Sequence, residues 1–139
     1  MGDRDWGIPV ESGEVMSVAT ILIIEDQASV RKLLVQMLED AGYQVREAAN
    51  GRLGLEQFRA HPADLVLTDL DMPEMNGWEV IVALTRSYAD VTIMAMSGMH
   101  PDELRQATRC GAQRTFQKPL DLAALLQAIH VELRQPHLN

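Results

Sequence analysis

The sequence predicts an α/β domain in which five parallel strands form one sheet covered by helices on both faces, a doubly wound (βα)5 arrangement with strand order 2-1-3-4-5. Two observations lead to it. From Ile21 onward, short apolar runs rich in β-formers alternate five times with longer segments of helical period, the pattern that yields a parallel sheet wrapped by helices. The first of these runs, Ile21-Leu22-Ile23-Ile24, contains no polar residue, as a strand covered on both faces requires. A length of 139 residues suits one core. With 47% hydrophobic but only 4% aromatic residues, that core has to be aliphatic.

The first helix is predicted from a stripe of Val30, Leu33, Leu34, Met37, Leu38 and Ala41, with Gly42 as the permissive stop. The second strand, Gln44 to Ala48, alternates polar and apolar residues, which suggests an edge position. Its helix carries Leu53, Leu55 and Phe58 and ends at His61-Pro62. The third strand, Leu65 to Thr68, runs into an acidic loop rich in Pro, Asn and Gly that spans Asp69 to Gly77, and a helix follows from Trp78 to Ser87. The fourth strand, Val91 to Met96, stops at Ser97-Gly98. Pro101-Asp102-Glu103 opens the next helix, where Pro and acids suit an N-terminus, and Gly111 closes it. The fifth strand, Thr115 to Gln117, breaks at Lys118-Pro119. Asp121 then caps a final helix with the stripe Leu122, Leu125, Leu126, Ile129 and Leu133.

Composition removes several function classes. A net charge of −8 opposes direct nucleic-acid binding, which draws its affinity from clustered Lys and Arg. Cys110 is the only cysteine, so an internal disulfide and a Cys-based zinc set are excluded, a reducing compartment fits, and the residue itself reads as a small buried one. His61, His100, His130 and His137 lack a metal-site spacing and read as solvated surface residues. No apolar run approaches the roughly 20 residues that span a bilayer, and residues 1–17 lack the apolar centre of a secretory signal. A soluble, cytoplasmic protein is expected, with residues 1–17 as a flexible extension, 18–134 as the domain and 135–139 as a tail.

The chemistry gathers at strand ends. In an open parallel α/β sheet, ligands bind outside the carboxyl ends of the strands. Polar groups stand there on four strands: Glu25-Asp26 after the first, Asp69 after the third, Ser97 after the fourth and Lys118 after the fifth. The end of the second strand, Ala48-Ala49, is chemically silent and lies off the site in the order 2-1-3-4-5. Two carboxylates about 4 Å apart repel by roughly 4 kcal/mol at an effective dielectric near 20, a cost that a divalent cation removes. Oxygen donors with no His or Cys nearby favour Mg²⁺, with Mn²⁺ possible, and such an ion retains room for a phosphoryl oxygen. Phosphoryl transfer needs an aligned nucleophile and positive charge or donors around the equatorial oxygens. Asp69 is the candidate nucleophile. Lys118 and the Ser97 hydroxyl are candidates to receive phosphoryl oxygens. Glu25, Asp26, Asp69 and the backbone carbonyl of Asp71 are candidate metal ligands.

Over about residues 18 to 134 these features resemble the receiver domain of two-component response regulators. The likeness rests on the acidic pair Glu25-Asp26, on Asp69 followed by Met72-Pro73 and Gly77, on Ser97-Gly98, and on Lys118-Pro119. The spacings of 43 residues from Asp26 to Asp69, 28 to Ser97 and 21 to Lys118 are similar to the family's. The resemblance implies a flavodoxin-like fold and phosphorylation of Asp69 from a histidine of a sensor kinase or phosphotransfer protein. It implies later hydrolysis of the acyl phosphate, so that the chain catalyses its own phosphorylation and dephosphorylation without being a conventional enzyme. It also implies a cis Lys118-Pro119 bond and signalling through the face of the fourth helix, fifth strand and fifth helix, to a protein target or by self-association; the charge and the lack of a long apolar run already argue against direct contact with nucleic acid or membrane.

The sequence departs from the family at Thr115, three residues before the lysine, where receivers carry a Tyr or Phe switch. Phe116 is adjacent, but strand alternation sends it to the opposite face and into the core. Asp71 and Met99 occupy the two positions that in this family tune acyl-phosphate lifetime. Two other readings compete. Asp69-Leu70-Asp71 resembles the nucleophile and acid/base pair of haloacid-dehalogenase phosphatases, although those place the pair on the first strand. A pseudo-receiver acting as an unphosphorylated binding module is the third. With five residues after Arg134, the expectation is a stand-alone receiver rather than one joined to an output domain.

Overall fold

A computed structural model describes residues 18–134 except 74, 99 and 100. The expected terminal extension and tail, and the readings of Met99, His100 and His137, lie outside the described residues. Five strands, β1 (Thr20–Ile24), β2 (Gln44–Ala48), β3 (Leu65–Asp69), β4 (Thr92–Ser97) and β5 (Arg114–Gln117), alternate with five helices. The helices are α1 (Ala28–Asp40), α2 (Gly51–Ala60), α3 (Gly77–Ser87), α4 (Pro101–Cys110) and α5 (Leu122–Arg134). All strands are parallel, in the order β2-β1-β3-β4-β5, as the alternating pattern predicts.

Strand alternation divides the core in two. Ile21 and Ile23 of β1, with Leu65 and Leu67 of β3, pack under α1 and α5 against Leu34, Leu38, Leu125 and Ile129. Leu22 and Ile24, with Val66, face the other way toward Phe58, Val80, Ile81 and Leu84 of α2 and α3. Every residue of β3 and β4 is buried. Burying a Leu or Ile side chain in this way stabilises by roughly 1.5–3 kcal/mol, so the central strands are held far more firmly than β2 at the edge, whose pattern is only partly buried.

Local details differ from the sequence reading at Leu33, Leu53, Cys110 and His130 and follow it at His61, Phe116 and Lys118-Pro119. Leu33 is 53% exposed and Leu53 36% exposed, because each helix contacts one face of the sheet and seals only the centre of its apolar stripe, Leu34 and Leu38 in α1 and Leu55 and Phe58 in α2. Cys110 is half-buried rather than enclosed. His61 is exposed, but His130 is half-buried, hydrogen-bonded to the Tyr43 hydroxyl through Nδ1 and packed against that ring at a 37° tilt with a centroid distance of 5.4 Å. Position 130 lies one step round α5 from the sealed Ile129, close enough to the core edge for Tyr43 to reach it. Phe116 pairs with Met96, Thr115 with Ala95, and Phe116 accordingly packs on the α1/α5 side of the sheet. The Lys118–Pro119 bond is cis.

Candidate active site

Because all five strands are parallel, their carboxyl ends share one rim. Glu25 follows β1 directly, Asp69 ends β3, Ser97 ends β4 and Lys118 follows β5. Ladder hydrogen bonds run past the strand ends and fix this rim: Glu25 N–H to Ala48 O at 3.1 Å, Leu70 N–H to Met96 O at 2.9 Å and Lys118 N–H to Ser97 O at 2.8 Å. Glycine permits the tightest approach. A Cβ at Gly77 would lie 2.3 Å from the Asp69 carbonyl oxygen and 2.8 Å from Leu70 Cα, so α3 can begin directly beneath the acidic loop only with glycine there.

The predicted residues come together. Lys118 Nζ donates to Glu25 Oε1 at 2.9 Å and to Asp69 Oδ2 at 3.1 Å. Glu25 is 0% and Asp69 2% exposed. The other Asp69 oxygen, Oδ1, accepts from the Asp71 N–H at 3.1 Å, and Glu25 Oε2 accepts from the Gln27 N–H at 3.1 Å. Ser97 is buried and its hydroxyl donates to Asp71 Oδ2 at 3.0 Å, beside a bond from the Gly98 N–H at 3.1 Å. Asp26 is exposed, yet one of its oxygens lies with those of Glu25 and Asp69 inside a 4.8 Å cluster.

Burial raises the proton affinity of the Glu25 carboxyl, and the nearby Asp69 charge adds to it. Together they push its pKa up to about 7 against the opposing hydrogen bonds from Lys118 and Gln27. For Lys118 burial acts downward, but the Glu25 hydrogen bond and the Asp69 charge outweigh it and raise the pKa, keeping the ammonium charged. Two carboxylates buried this closely, with a third at the edge, share one ammonium. The donor set is all oxygen, which fits a hard divalent cation of the Mg²⁺ type. The cluster Glu25, Asp26 and Asp69 would hold it, and there it would offset the residual negative charge.

Two features were not legible from residue spacing. Arg31 of α1 donates to the Glu25 backbone carbonyl at 2.8 Å while pairing with Glu47 at 2.8 Å, and so anchors the β1 exit to β2. Nothing in a lone helical arginine announces this. The Asp71 side chain, as distinct from its backbone, bonds the end of β4, and an acid two residues from Asp69 was the available signal.

Comparisons with known proteins agree with this geometry. The sequence profile of the response regulator receiver domain matches residues 21–130. The DNA-binding transcriptional regulator NtrC of Rhizobium meliloti (strain 1021) is 33% identical over 122 residues, covering 87% of this chain but 25% of that protein. The chemotaxis protein CheY of Thermotoga maritima is 31% identical over 112 residues, covering 79% of this chain and 93% of its own length. A solved structure of the Vibrio cholerae chemotaxis protein CheY4 superposes with a TM-score of 0.76 at 29% identity, covering 83% of this chain and 98% of that one. The chain thus spans about a quarter of one relative and nearly all of another.

Proposed function

The chain belongs to the response regulator receiver domain family, a phosphorylation-activated signalling module, and we propose that its phosphoryl acceptor is Asp69. Receiver domains bind Mg²⁺ in an acidic pocket and interact with histidine kinases or phosphotransfer proteins and with downstream targets. The observation that carries the assignment of Asp69 is the Lys118 ammonium shared between Glu25 at 2.9 Å and Asp69 at 3.1 Å at the closed end of the rim.

In this reading an Asp69 carboxylate oxygen forms a bond to phosphorus as the P–N bond of a phosphohistidine breaks and the imidazole leaves. The Asp71 N–H fixes the rotation of the Asp69 carboxylate, so that the nucleophile is aligned before the donor arrives. Lys118, already charged, moves its hydrogen bonds to a phosphoryl oxygen, and the Ser97 hydroxyl donates to another. Glu25, Asp26, Asp69 and the Asp71 backbone carbonyl would hold Mg²⁺, or Mn²⁺, which supplies charge neutralisation when bound. Water later hydrolyses the acyl phosphate.

The receiver unit comprises residues 18–134, with 1–17 and 135–139 as flanking segments. Output runs through the face of α4, β5 and α5 to a protein target or a second copy. Phe116 is half-buried and packs against the core on the α1/α5 side, so Thr115 and not an aromatic ring stands at the switch position. Among the described residues no helix is long and apolar enough to cross a membrane, and the lone Cys110 suits a cytoplasmic, reducing setting.

The test is incubation with Mg²⁺ and a small phosphodonor. Wild type acquires an acyl phosphate and Asp69→Asn does not; equal behaviour of the two contradicts the assignment. Sustained turnover of a small phosphate ester by the pure protein would instead favour the haloacid-dehalogenase reading, which neither the strand position of Asp69 nor the family match favours.

A further inference from the structure

Arg31 connects the rim to the edge of the sheet. It lies in the first turn of α1, where its N–H donates to the Gln27 carbonyl at 2.9 Å. Side chains on a helix lean toward its N-terminus, so the guanidinium comes back over the β1 exit. There Nη1 donates to the Glu25 carbonyl oxygen at 2.8 Å, while Nε donates to Glu47 Oε1 of β2 at 2.8 Å. Glu47 is held in turn by α2, because the Gln57 side-chain amide donates to its backbone carbonyl at 2.6 Å. On the other side of the Glu25 Cα, the Glu25 N–H donates to Ala48 O at 3.1 Å. Both peptide groups that flank Glu25 are therefore tied to β2.

The peptide after Glu25 carries the constraint further. A peptide unit is planar, so fixing the Glu25 carbonyl also fixes the plane from which the chain continues into Asp26. Asp26 is exposed, where water competes for any bond its carboxylate makes, and its place beside Glu25 and Asp69 in the 4.8 Å cluster depends on that backbone. We propose that Arg31, anchored by Glu47, is a positioning residue for the divalent cation: by holding the peptide between Glu25 and Asp26 it aims both carboxylates and so raises the affinity for Mg²⁺. This role rests on the reading of Glu25, Asp26 and Asp69 as the metal cluster. Its sign is opposite to that of simple electrostatics. A guanidinium bonded to the backbone of a metal ligand repels a cation, so if charge decided the matter, removing Arg31 would tighten Mg²⁺ binding. Positioning requires that binding loosen.

The experiment is an NMR titration of the full chain with MgCl₂ at constant ionic strength and without phosphodonor. It follows the Gln27 amide, which donates to Glu25 Oε2 at 3.1 Å and so reports on the cluster. Arg31→Gln weakens Mg²⁺ binding by about five- to tenfold, the lower end of what partners that orient metal ligands contribute. Arg31→Lys keeps the charge but cannot span both acceptors; its loss is smaller, and it decides the matter if the glutamine variant does not fold. Lys32→Gln removes the same charge one position on, where the exposed ammonium pairs with both Glu47 oxygens at 3.1 Å, and leaves the affinity within about twofold of wild type. Saturating Mg²⁺ restores the rate of acyl-phosphate formation in Arg31→Gln, as a lesion confined to affinity requires. Equal or tighter Mg²⁺ binding by both Arg31 variants, an equal loss in Lys32→Gln, or a rate that stays depressed at saturating Mg²⁺ overturns the role of Arg31 alone. A wild-type Gln27 amide that does not respond to Mg²⁺ overturns the metal cluster, and the role of Arg31 with it.

Discussion

Replacing Lys118 by Met tests the electrostatics of the rim directly. Its ammonium lies 2.9 Å from Glu25 Oε1 and 3.1 Å from Asp69 Oδ2, against carboxylates 0% and 2% exposed. At an effective dielectric near 20 each contact is worth roughly 5 kcal/mol of gross attraction. Desolvation of the ammonium cancels several kcal/mol of that, and breaking such a buried pair costs about 3–5 kcal/mol net. Protonation limits the loss. Glu25 already has a pKa of about 7 with the lysine present, and without it a proton enters at neutral pH and relieves the repulsion. The stability difference between wild type and Lys118→Met, measured by urea unfolding in EDTA, should therefore be about 3–5 kcal/mol at pH 8.5 and less than half of that at pH 6. Saturating Mg²⁺ should narrow the gap at pH 8.5. An identical loss at both pH values would refute this reasoning.

Other perturbations probe the same rim. Glu25→Gln should flatten part of the pH–stability curve: a carboxyl raised from 4.5 to about 7 on folding binds more protons in the native state, so stability present below pH 4.5 is lost as pH rises to 7. The ceiling of that contribution is about 3 kcal/mol, and an unchanged slope in urea titrations of the variant would contradict it. Gly77→Ala places a Cβ 2.3 Å from the Asp69 carbonyl oxygen, which should cost about 1–3 kcal/mol and slow acyl-phosphate formation by moving Asp69. Normal stability and normal phosphorylation in that variant would show that the loop adjusts without effect.

Most of the site was legible in the sequence because a parallel α/β sheet makes strand ends converge. Glu25, Asp69, Ser97 and Lys118 each follow a short apolar run, and order along the chain was enough to bring them onto one rim. The strand order placed Ala48-Ala49 away from them. What spacing could not supply was side-chain direction. Sequence spacing points to the Asp71 backbone carbonyl, whereas its carboxylate reaches Ser97 and Gly98, a contact that depends on the path of the loop. The Asn76–Glu79 capping box was in the sequence as an Asn three residues before a Glu, masked by the irregular acidic loop, and it starts α3 one residue before Trp78. His130 looked like a surface residue because period alone does not reveal that Tyr43, far away in the chain, closes over it.

The most direct measurement of the central claim is mass-spectrometric localisation of the phosphoryl adduct after brief incubation with Mg²⁺ and a small phosphodonor, using borohydride reduction to mark the acyl phosphate. The adduct is predicted on Asp69, absent without divalent cation and absent in Asp69→Asn. An adduct on Asp71, on Glu25 or on any histidine, or one that persists in Asp69→Asn, would contradict the account.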